Sequence, residues 1–366
     1  MARRLKSDQV LFLATLLLVA ASVVMVYSAS SVLAAEKFRQ PNLFLIKQGM
    51  WAALGIAVLR VVMQIDYRNY RQPAVIWTLV AVVTLGLVAV FFSPAVNGSH
   101  RWLGLGLLGV QPSELAKLAV ILFTAAVLER RMHRIDEPYY VLAPIAAVLL
   151  LFVGMVYAEP DLGTSVILLL IAATMIFTAG LGYRYLIGLA LCAIPVAFAF
   201  AMGAGYRRRR LVAFLNPSED LQGKGYQLFQ STVAVATGGL TGKGYMASEQ
   251  KHFFLPQPHT DFIYAVVSEE FGLIGATVIL ACFLVIAWRG MRVALRAPDS
   301  FGALVAIGLT TMFALQALVN ISVVLGMMPT KGIPLPFVSA GGSSLLVSLL
   351  GMGILLNVSQ HASATG

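Results

Sequence analysis

Long apolar runs that are almost free of charge dominate this chain. The runs at 10–34, 74–93 and 302–328 contain no Asp, Glu, Lys or Arg, and each reaches the ~20 residues that a helix needs to cross a hydrocarbon core. Only 11% of the residues are charged, against roughly 25% in soluble domains. Because lipid offers no partners to backbone groups, runs of this length predict a helical, polytopic membrane protein.

The predicted fold is all-α, with about ten transmembrane helices and a large extracytoplasmic loop between the seventh and the eighth. One membrane domain is expected to cover the chain, 1–366, with the loop at 205–261 inside it. The first run lacks a clean small-residue cleavage site, so no cleavable signal peptide is expected. The predicted helices occupy 10–34, 43–63, 74–93, 113–129, 140–157, 164–181, 184–204, 262–287, 302–328 and 340–358.

The net charge of +10 comes largely from basic residues beside the apolar runs. Such residues orient helices and contact anionic head groups, so nucleic acid is not expected as a partner. With the N-terminus inside, the short inner loops hold more Lys and Arg than the short outer loops. The charge pattern therefore predicts that both termini are cytoplasmic, although it does not explain the basic character of the outer segment 205–261.

Asp261 is the foremost candidate for chemistry, because it closes a polar segment just before a long hydrophobic run. Two prolines stiffen the approach to it, and His259 is a near neighbour. One interpretation is structural, since the helix dipole stabilises a carboxylate in the first turn of a helix. The density of polar groups nearby favours a catalytic interpretation. Glu269 and Glu270 lie one to two turns into the run and need partners in the protein interior.

Two pairs of charged residues allow both a structural and a functional interpretation. Glu114 and Lys117 share one helix face at the start of the fourth helix, where they form either a structural ion pair or a site in which Lys117 binds an anion. Glu159 and Asp161 share a very short outer turn. Asp161 can cap the next helix and Glu159 can pair with an arginine, or the two can contact a sugar hydroxyl or a divalent metal.

Basic residues on the outer side form a third candidate. Arg101, together with Arg207 and Arg210 in the run 206–210, contacts lipid head groups or clamps a pyrophosphate, because arginine binds phosphate oxygens bidentately. The run Gly238–Gly244 has the composition of a nucleotide-binding loop, but the spacing of its glycines fails. A flexible turn is expected there.

Several short motifs follow one another in order along most of the chain. They are Tyr27–Ser30, Arg101-Trp102, Gln111–Lys117, Glu159–Gly163, Tyr206-Arg207, Gly225–Gln227 with Gln230-Ser231, Leu255-Pro256 with His259–Phe262, Glu269–Gly272 and Pro329–Ser344. Together they resemble the SEDS family (shape, elongation, division and sporulation), whose members include FtsW and RodA. The forms Val26–Ser31 and Met328–Gly332 are closer to FtsW. Ala340 departs from the family's usual aromatic residue, and the short N-terminal segment keeps RodA open as an alternative.

The resemblance implies a peptidoglycan glycosyltransferase of the bacterial cytoplasmic membrane that polymerises lipid II at the outer face, for cell division as in FtsW or for elongation as in RodA. Asp261 is then the general base that takes the proton of the acceptor sugar's 4-hydroxyl. External cations would stabilise the undecaprenyl pyrophosphate leaving group. The expected substrate-binding residues are Arg101, Glu114, Lys117, Glu159, Asp161, Arg207, Arg210, Gln230, His259, Lys331 and Ser339.

The resemblance also implies a class B penicillin-binding protein, a transpeptidase, as partner, with other divisome or elongasome membrane proteins. No dedicated metal cage is visible, and a magnesium ion bridging the pyrophosphate is the alternative. Two other functions stay open. A lipid II flippase would need polar groups through the membrane depth, and a non-catalytic scaffold would need neither Asp261 nor the external basic residues. Polar residues gathered at the outer side favour the enzyme.

Overall fold

A computed structural model describes residues 7–94, 100–104, 109–134, 137–180, 182, 214, 224–251, 254–330 and 332–362. Over these residues the fold is helical, with a single antiparallel bridge between Leu103 and Val110 as its only extended pairing. The α-helices are α1 Gln9–Phe38, α2 Leu43–Val62, α3 Pro73–Val90, α4 Pro112–Arg131, α5 Pro138–Ala158, α6 Leu162–Thr178, α7 Lys224–Gly238, α8 Ile263–Leu295, α9 Ser300–Val324 and α10 Gly342–His361. Short 3-10 helices follow α2 and α4, at Tyr67–Arg71 and Met132–Arg134.

The prediction of an all-α membrane protein is confirmed. The predicted helices coincide with α1–α6 and α8–α10, except for the seventh, 184–204, which lies outside the described residues. Within the described part of the chain, 7 helices are long and apolar enough to cross a membrane, namely α1, α2, α3, α5, α8, α9 and α10. Helix α6 is apolar but has only 17 residues, and α4 carries charged residues in its first and last turns.

The two ends of the described chain meet at one end of the bundle. Asp8 caps α1 by accepting from the backbone N–H groups of Val10 and Leu11. Its own N–H donates to Ser359 Oγ at 3.1 Å, and its carboxylate pairs with Arg289 of α8 at 2.6 Å. Helix α1 therefore begins where α8 and α10 end, which agrees with the expectation that both termini face one compartment.

Helices α9 and α10 form the centre of the bundle. Most of their residues are enclosed by protein, whereas α3 and α5 present most of theirs to the outside. The outward side chains are large and apolar, for example Leu85 at 68% and Leu150 at 64% exposed. Apolar surface of this extent is unfavourable in water, so these outer faces are expected to contact lipid.

Helix α8 is broken at Gly272, whose φ of 63° and ψ of −160° are not helical. Beyond the break, the N–H groups of Leu273 and Ile274 find acceptors outside the helix. They donate to the carbonyl oxygens of Gly239 and Leu240, at 2.9 and 3.2 Å. A distant segment of the chain thus replaces the missing helical acceptors.

The same segment also supplies the missing donors. The carbonyl oxygens of Glu269 and Glu270 accept from the N–H groups of Lys243 and Gly244, each at 3.0 Å. Nine residues separate the break from the start of α8, or about 14 Å along the helix axis. Backbone that is not helical is tolerated at such depth only where protein satisfies its polar groups, and the segment 239–244 meets that condition.

Buried ion pairs hold this segment against α8. Glu269 and Glu270 are fully buried. Glu269 pairs with Lys243 at 3.0 Å, and Glu270 pairs with Lys251 at 2.8 Å while accepting from the hydroxyl of Ser28 in α1 at 2.6 Å. The expectation that both carboxylates have interior partners is confirmed, because an unpaired buried charge would cost several kcal/mol.

The described parts of the predicted 205–261 loop therefore contain a helix, α7, and a segment packed into α8. A Cβ added to Gly238, at the end of α7, would lie 1.9 Å from the carbonyl oxygen of Ser268, so the two backbones are in direct contact. The glycine-rich run 238–244 is a packed element, and its prediction as a flexible turn was wrong. Glycine is needed there because another backbone occupies the space of a side chain.

Gly242→Ala is expected to lower the thermal unfolding temperature of the purified protein by about 5 °C, from strain on the order of 2 kcal/mol. Gly242 has a φ of 83°, and an added Cβ would lie 2.2 Å from the carbonyl oxygen of Glu270. Differential scanning fluorimetry in detergent measures the change. Gly49→Ala in α2 is the control, because nothing lies within 4 Å of its added Cβ. An equal loss in both variants would contradict the tight packing at the break.

Candidate active site

Asp261 lies in the turn before α8. Phe262 is the N-cap and the helix begins at Ile263, so Asp261 precedes the helix and does not lie in its first turn, as the sequence had suggested. Asp261 is partly exposed. Its Oδ2 lies 3.3 Å from the position of a Cβ added to Gly332. The carboxylate is therefore close to the backbone of the loop that joins α9 to α10.

Asn320, near the end of α9, fastens that loop to Asp261. Its side-chain amide donates to the carbonyl oxygen of Asp261 at 2.9 Å and to that of Ile333 at 2.8 Å. The residue is 2% exposed, so these bonds form away from water. Both amide protons are used, and together they hold the backbone of Asp261 next to the loop. Asn320 thereby positions the backbone from which the Asp261 carboxylate extends.

Ser339 makes a second connection between the same segments. Its hydroxyl donates to the carbonyl oxygen of Thr260 at 2.7 Å and accepts from the N–H of Leu335 at 2.8 Å. The N–H of Ala340 donates to the carbonyl oxygen of His259 at 2.9 Å. The hydroxyl of Ser339 is thus engaged within the protein, and its expected contact with substrate stays a prediction.

The imidazole of His259 packs on Phe44, with ring centroids 4.9 Å apart. Burial lowers its pKa to about 4, so the ring is neutral at physiological pH. Its Nδ1 is buried and has no hydrogen-bond partner within the described part of the chain. His259 therefore offers a ligand a neutral hydrogen-bonding group and no positive charge.

Arg101 binds the hairpin between α5 and α6. Its guanidinium donates to the carbonyl oxygens of Glu159 at 3.0 Å and Pro160 at 2.6 Å, and lies 4.0 Å from the carboxylate of Asp161. Asp161 also caps α6, accepting from the backbone N–H of Thr164 at 3.1 Å and from its hydroxyl at 2.9 Å. The capping interpretation is confirmed, and the arginine contacts the backbone of Glu159.

The hairpin and Asp261 belong to one surface. A Cβ added to Gly163, at the start of α6, would lie 2.9 Å from the side chain of Ile333. Ile333 is also the residue whose carbonyl oxygen Asn320 holds. Contacts therefore run from the hairpin through Ile333 and Asn320 to Asp261, and connect two candidates that are 100 residues apart in the chain.

Glu159 is a buried carboxyl group whose two oxygens have no hydrogen-bond partner among the described residues. It is 1% exposed. Burial, and then the nearby negative charge of Asp161, raise its pKa to about 8 against an opposing effect of Arg101. Glu159 therefore carries its proton at neutral pH. A buried acid with two unused oxygens can exchange a proton or a hydrogen bond with a ligand.

Glu114 and Lys117 form a buried ion pair at 2.8 Å, as one of the two interpretations requires. Gly308 of α9 packs on Ile121, one turn inward from Lys117. Along α9, Asn320 lies twelve residues from Gly308 toward the end of the bundle that holds Asp261, whereas Lys117 lies only four residues from Ile121 in that direction. At 1.5 Å per residue, Lys117 is therefore about 12 Å farther from that end than Asn320. Helical side chains tilt toward the helix N-terminus, which brings the ammonium group closer to the outer loops.

Three expected substrate-binding residues, Arg207, Arg210 and Lys331, lie outside the described residues. Gln230 is half-buried on α7. The hydroxyl of its neighbour Ser231 donates to the carbonyl oxygen of Val324 at 3.1 Å, which fixes this part of α7 to the end of α9. Gln230 is thereby placed near the end of the bundle that holds Asp261.

Asn320 is the residue that the sequence analysis missed. It lies in the apolar run 302–328, just over two turns from the C-terminal end of the run. A buried amide has to find hydrogen-bond partners, and in this run the nearest candidates are the loops outside the membrane. An amide at this position was therefore a usable signal for a contact with the outer loops.

The family model described as cell cycle protein, which covers FtsW, RodA and SpoVE, matches residues 8–364. The chain belongs to this family. It is 44% identical over 359 residues to a probable peptidoglycan glycosyltransferase FtsW of Geobacter metallireducens, covering 98% of this chain and 96% of the relative. It is 40% identical over 365 residues to stage V sporulation protein E of Bacillus subtilis, covering 98% and 99%.

Solved structures share the fold over nearly the whole chain. RodA of Thermus thermophilus matches with a TM-score of 0.71 at 26% identity, covering 98% of each chain. A chain from a structure described as "Structural coordination of polymerization and crosslinking by a peptidoglycan synthase complex" matches with a TM-score of 0.80 at 29% identity, covering 96% and 97%. The predicted family is confirmed.

Glu159→Gln is expected to raise thermal stability at pH 8 and to have little effect near pH 5. A carboxyl group whose pKa is raised to about 8 on folding contributes stability at low pH. That stability is lost as pH rises through this pKa, because the unfolded chain releases the proton earlier. The glutamine side chain does not ionise and avoids this loss.

Unfolding temperatures measured between pH 5 and 9 test this expectation. The exposed Glu36→Gln is the control for loss of one negative charge. A constant difference between Glu159→Gln and the unsubstituted protein across the pH range would show that Glu159 is ionised in the folded state.

Proposed function

We propose that this chain is a peptidoglycan glycosyltransferase that polymerises lipid II at the outer face of the bacterial cytoplasmic membrane. The observation that carries the proposal is the placement of Asp261. Asn320 holds its backbone against the α9–α10 loop, on the surface that also contains the Arg101-bound hairpin. The name of the Geobacter metallireducens relative and membership of the family support the same reaction.

In this reaction Asp261 is the general base. Its carboxylate accepts the proton of the acceptor's 4-hydroxyl while that oxygen attacks the anomeric carbon of the donor sugar. The bond from that carbon to the phosphate oxygen breaks, and its electron pair leaves with the pyrophosphate. In-line displacement inverts an α-linked donor to a β-1,4 product. A positioned base contributes about 10²–10⁴-fold to the rate.

The leaving pyrophosphate needs positive charge more than it needs a proton. Arg101 lies at the level of the outer hairpin, and Lys117, oriented by Glu114, lies deeper. This spacing in depth suits a substrate whose sugars meet the outer loops while its pyrophosphate and lipid tail extend toward the hydrocarbon. Arg207, Arg210 and Lys331 are proposed to add charge on the outer side.

The remaining polar residues are proposed to contact the sugars. Gln230 and His259 would offer neutral hydrogen bonds, and Ser339 would act through the loop that it holds. If a magnesium ion binds with the pyrophosphate, Asp161 would supply oxygen ligands, and Glu159 would do so on losing its proton. Among the described residues no three His, Cys, Asp or Glu side chains come together, so phosphate oxygens and water would complete such a shell.

The deep charged groups favour an enzyme over a flippase. A flippase needs polar groups available to a head group along its path through the membrane. Here the deep carboxylates Glu114, Glu269 and Glu270 are paired with lysines of the same chain. A non-catalytic scaffold would leave the fixed position of Asp261 without a purpose.

We also infer the cellular setting from the family. Both termini are proposed to be cytoplasmic, and a class B penicillin-binding protein is the proposed partner, with other divisome or elongasome proteins. The similar chain from a peptidoglycan synthase complex, whose structure is described as coordinating polymerization and crosslinking, supports such a partner. The forms Val26–Ser31 and Met328–Gly332, with the FtsW relative at 44% identity, favour a role in division over elongation.

Asp261→Asn is expected to reduce polymerisation of lipid II by about 10²–10⁴-fold, because the amide cannot accept the proton. The substitution keeps the shape of the side chain, so the unfolding temperature should stay unchanged. Purified protein with lipid II, followed by separation of glycan chains on a gel, measures the product. Polymer at the unsubstituted rate would rule out Asp261 as the base, and lipid translocation without polymer would indicate a flippase.

Asn320→Leu is expected to reduce kcat by about 10–100-fold with little change in KM, because it releases the backbone of Asp261 from its position. The lipid II polymerisation assay at varied substrate concentration separates the two constants. Thr310→Val removes another buried polar group from α9, away from the outer loops, and should retain activity. Equal losses in both variants would point to general destabilisation of α9.

A further inference from the structure

A cavity of about 260 Å³ opens between α3, α4 and α5, at the end of the bundle where α1 begins. Trp77, Phe123 and Pro144 form much of its apolar wall, and Arg130 and Arg131 line it in the last turn of α4. Its wall on α4 runs from Phe123 to Arg131, so at 1.5 Å per residue the cavity begins about 17 Å, and its arginines lie about 27 Å or more, from the start of α4 at the end of the bundle that holds Asp261. It is a separate site.

Two other arginines near the cavity are neutralised by carboxylates. Arg71 pairs with Glu129 at 2.9 Å, and Arg134 pairs with Glu137. None of these four residues lines the cavity. Their charges are compensated by their pairing and give little attraction to an anion.

The two arginines that line the cavity are bound differently. Arg130 donates to the carbonyl oxygen of Arg71 at 2.7 Å, and Arg131 donates to that of Tyr140 and lies 4.2 Å from its ring centroid. Neither has a carboxylate partner in the part of the chain that the structure describes. A guanidinium has five N–H donors, so both residues keep charge and donors for a ligand.

The walls select a ligand that is apolar as well as anionic. Trp77 is 59% exposed toward the outside of the bundle and meets Phe123 edge-on, with ring centroids 5.7 Å apart. Trp is enriched where a membrane meets water, so this is the depth of lipid head groups. The volume is below the ~300–1,000 Å³ of sites for drug-sized ligands, which suits one head group and the start of an acyl chain.

We propose that this cavity binds an anionic phospholipid from the leaflet at this end of the bundle. The lipid phosphate accepts hydrogen bonds from Arg130 and Arg131, and the acyl chain leaves past Trp77 into the bilayer. Basic residues between transmembrane helices recognise anionic head groups by this combination of charge and apolar wall. With the termini cytoplasmic, the leaflet is the inner one. The site does not depend on the proposed glycosyltransferase activity.

Titration of the purified protein with phosphatidylglycerol, and separately with phosphatidylcholine, tests the proposal. Native mass spectrometry counts the bound lipids, and the unfolding temperature gives an independent reading. Phosphatidylglycerol is expected to bind and stabilise, and phosphatidylcholine is not. Arg130→Gln and Arg131→Gln should each weaken binding about fivefold, the scale of one basic residue at an anionic surface, and the double variant about 25-fold.

Arg134→Gln is the matched control, because it removes the same charge close by but from a residue that is already paired. It should bind phosphatidylglycerol as the unsubstituted protein does. Ala126→Phe fills the cavity while keeping both arginines, and should abolish binding. Since the arginines lie near the surface, their variants decide the question even if Ala126→Phe does not fold.

Three results would overturn the proposal. The first is an Arg134→Gln variant that loses as much affinity as Arg131→Gln, which would indicate attraction to the whole basic surface. The second is equal binding of phosphatidylcholine. The third is displacement of phosphatidylglycerol by inorganic phosphate at a similar concentration, which would indicate a simple anion site.

Discussion

Every backbone N–H and C=O group within a hydrocarbon layer has to find its partner in the protein, and the rest of this structure depends on that requirement. The helices meet it internally. The break at Gly272 in α8 cannot, and the segment 239–244 supplies acceptors and donors across it. This backbone contact lies about 14 Å along the axis of α8 from the start of the helix, next to Asp261.

The bundle interior and the loops around Asp261 are held together by different interactions. In the interior, Glu269 is neutralised by Lys243 of the segment 239–244 and Glu270 by Lys251 beyond it, because a lone buried carboxylate would be costly. These pairs also specify how the segment aligns with α8. Around Asp261 the loops are fastened by neutral side chains, an amide and a hydroxyl, which hold its backbone in place. The proposed general base is thus positioned through its backbone.

Much of the architecture could be predicted because it rests on local properties. The apolar runs indicated their helices, the position of Asp161 indicated a cap, and the cost of buried charge indicated that Glu269 and Glu270 have partners. The packing of 239–244 into α8 could not be predicted, because its glycines fit a free turn equally well. The roles of the hairpin and of Asp261 could be proposed, but their connection through Ile333 required the packing of α6 and α9.

The sequence by itself determined a helical membrane protein, its family, and a set of polar residues at one side of the membrane. Tertiary structure alone decided that Asn320 joins Asp261 to the loop at Ile333, 13 residues after Asn320 in the chain. It also decided that Lys117 lies deeper in the bundle than Asn320 and Asp261. The physical reason is that hydrophobic length, caps and motifs are read along the chain. The height at which one helix packs on another depends on side chains from many segments at once, and that height sets which polar groups meet.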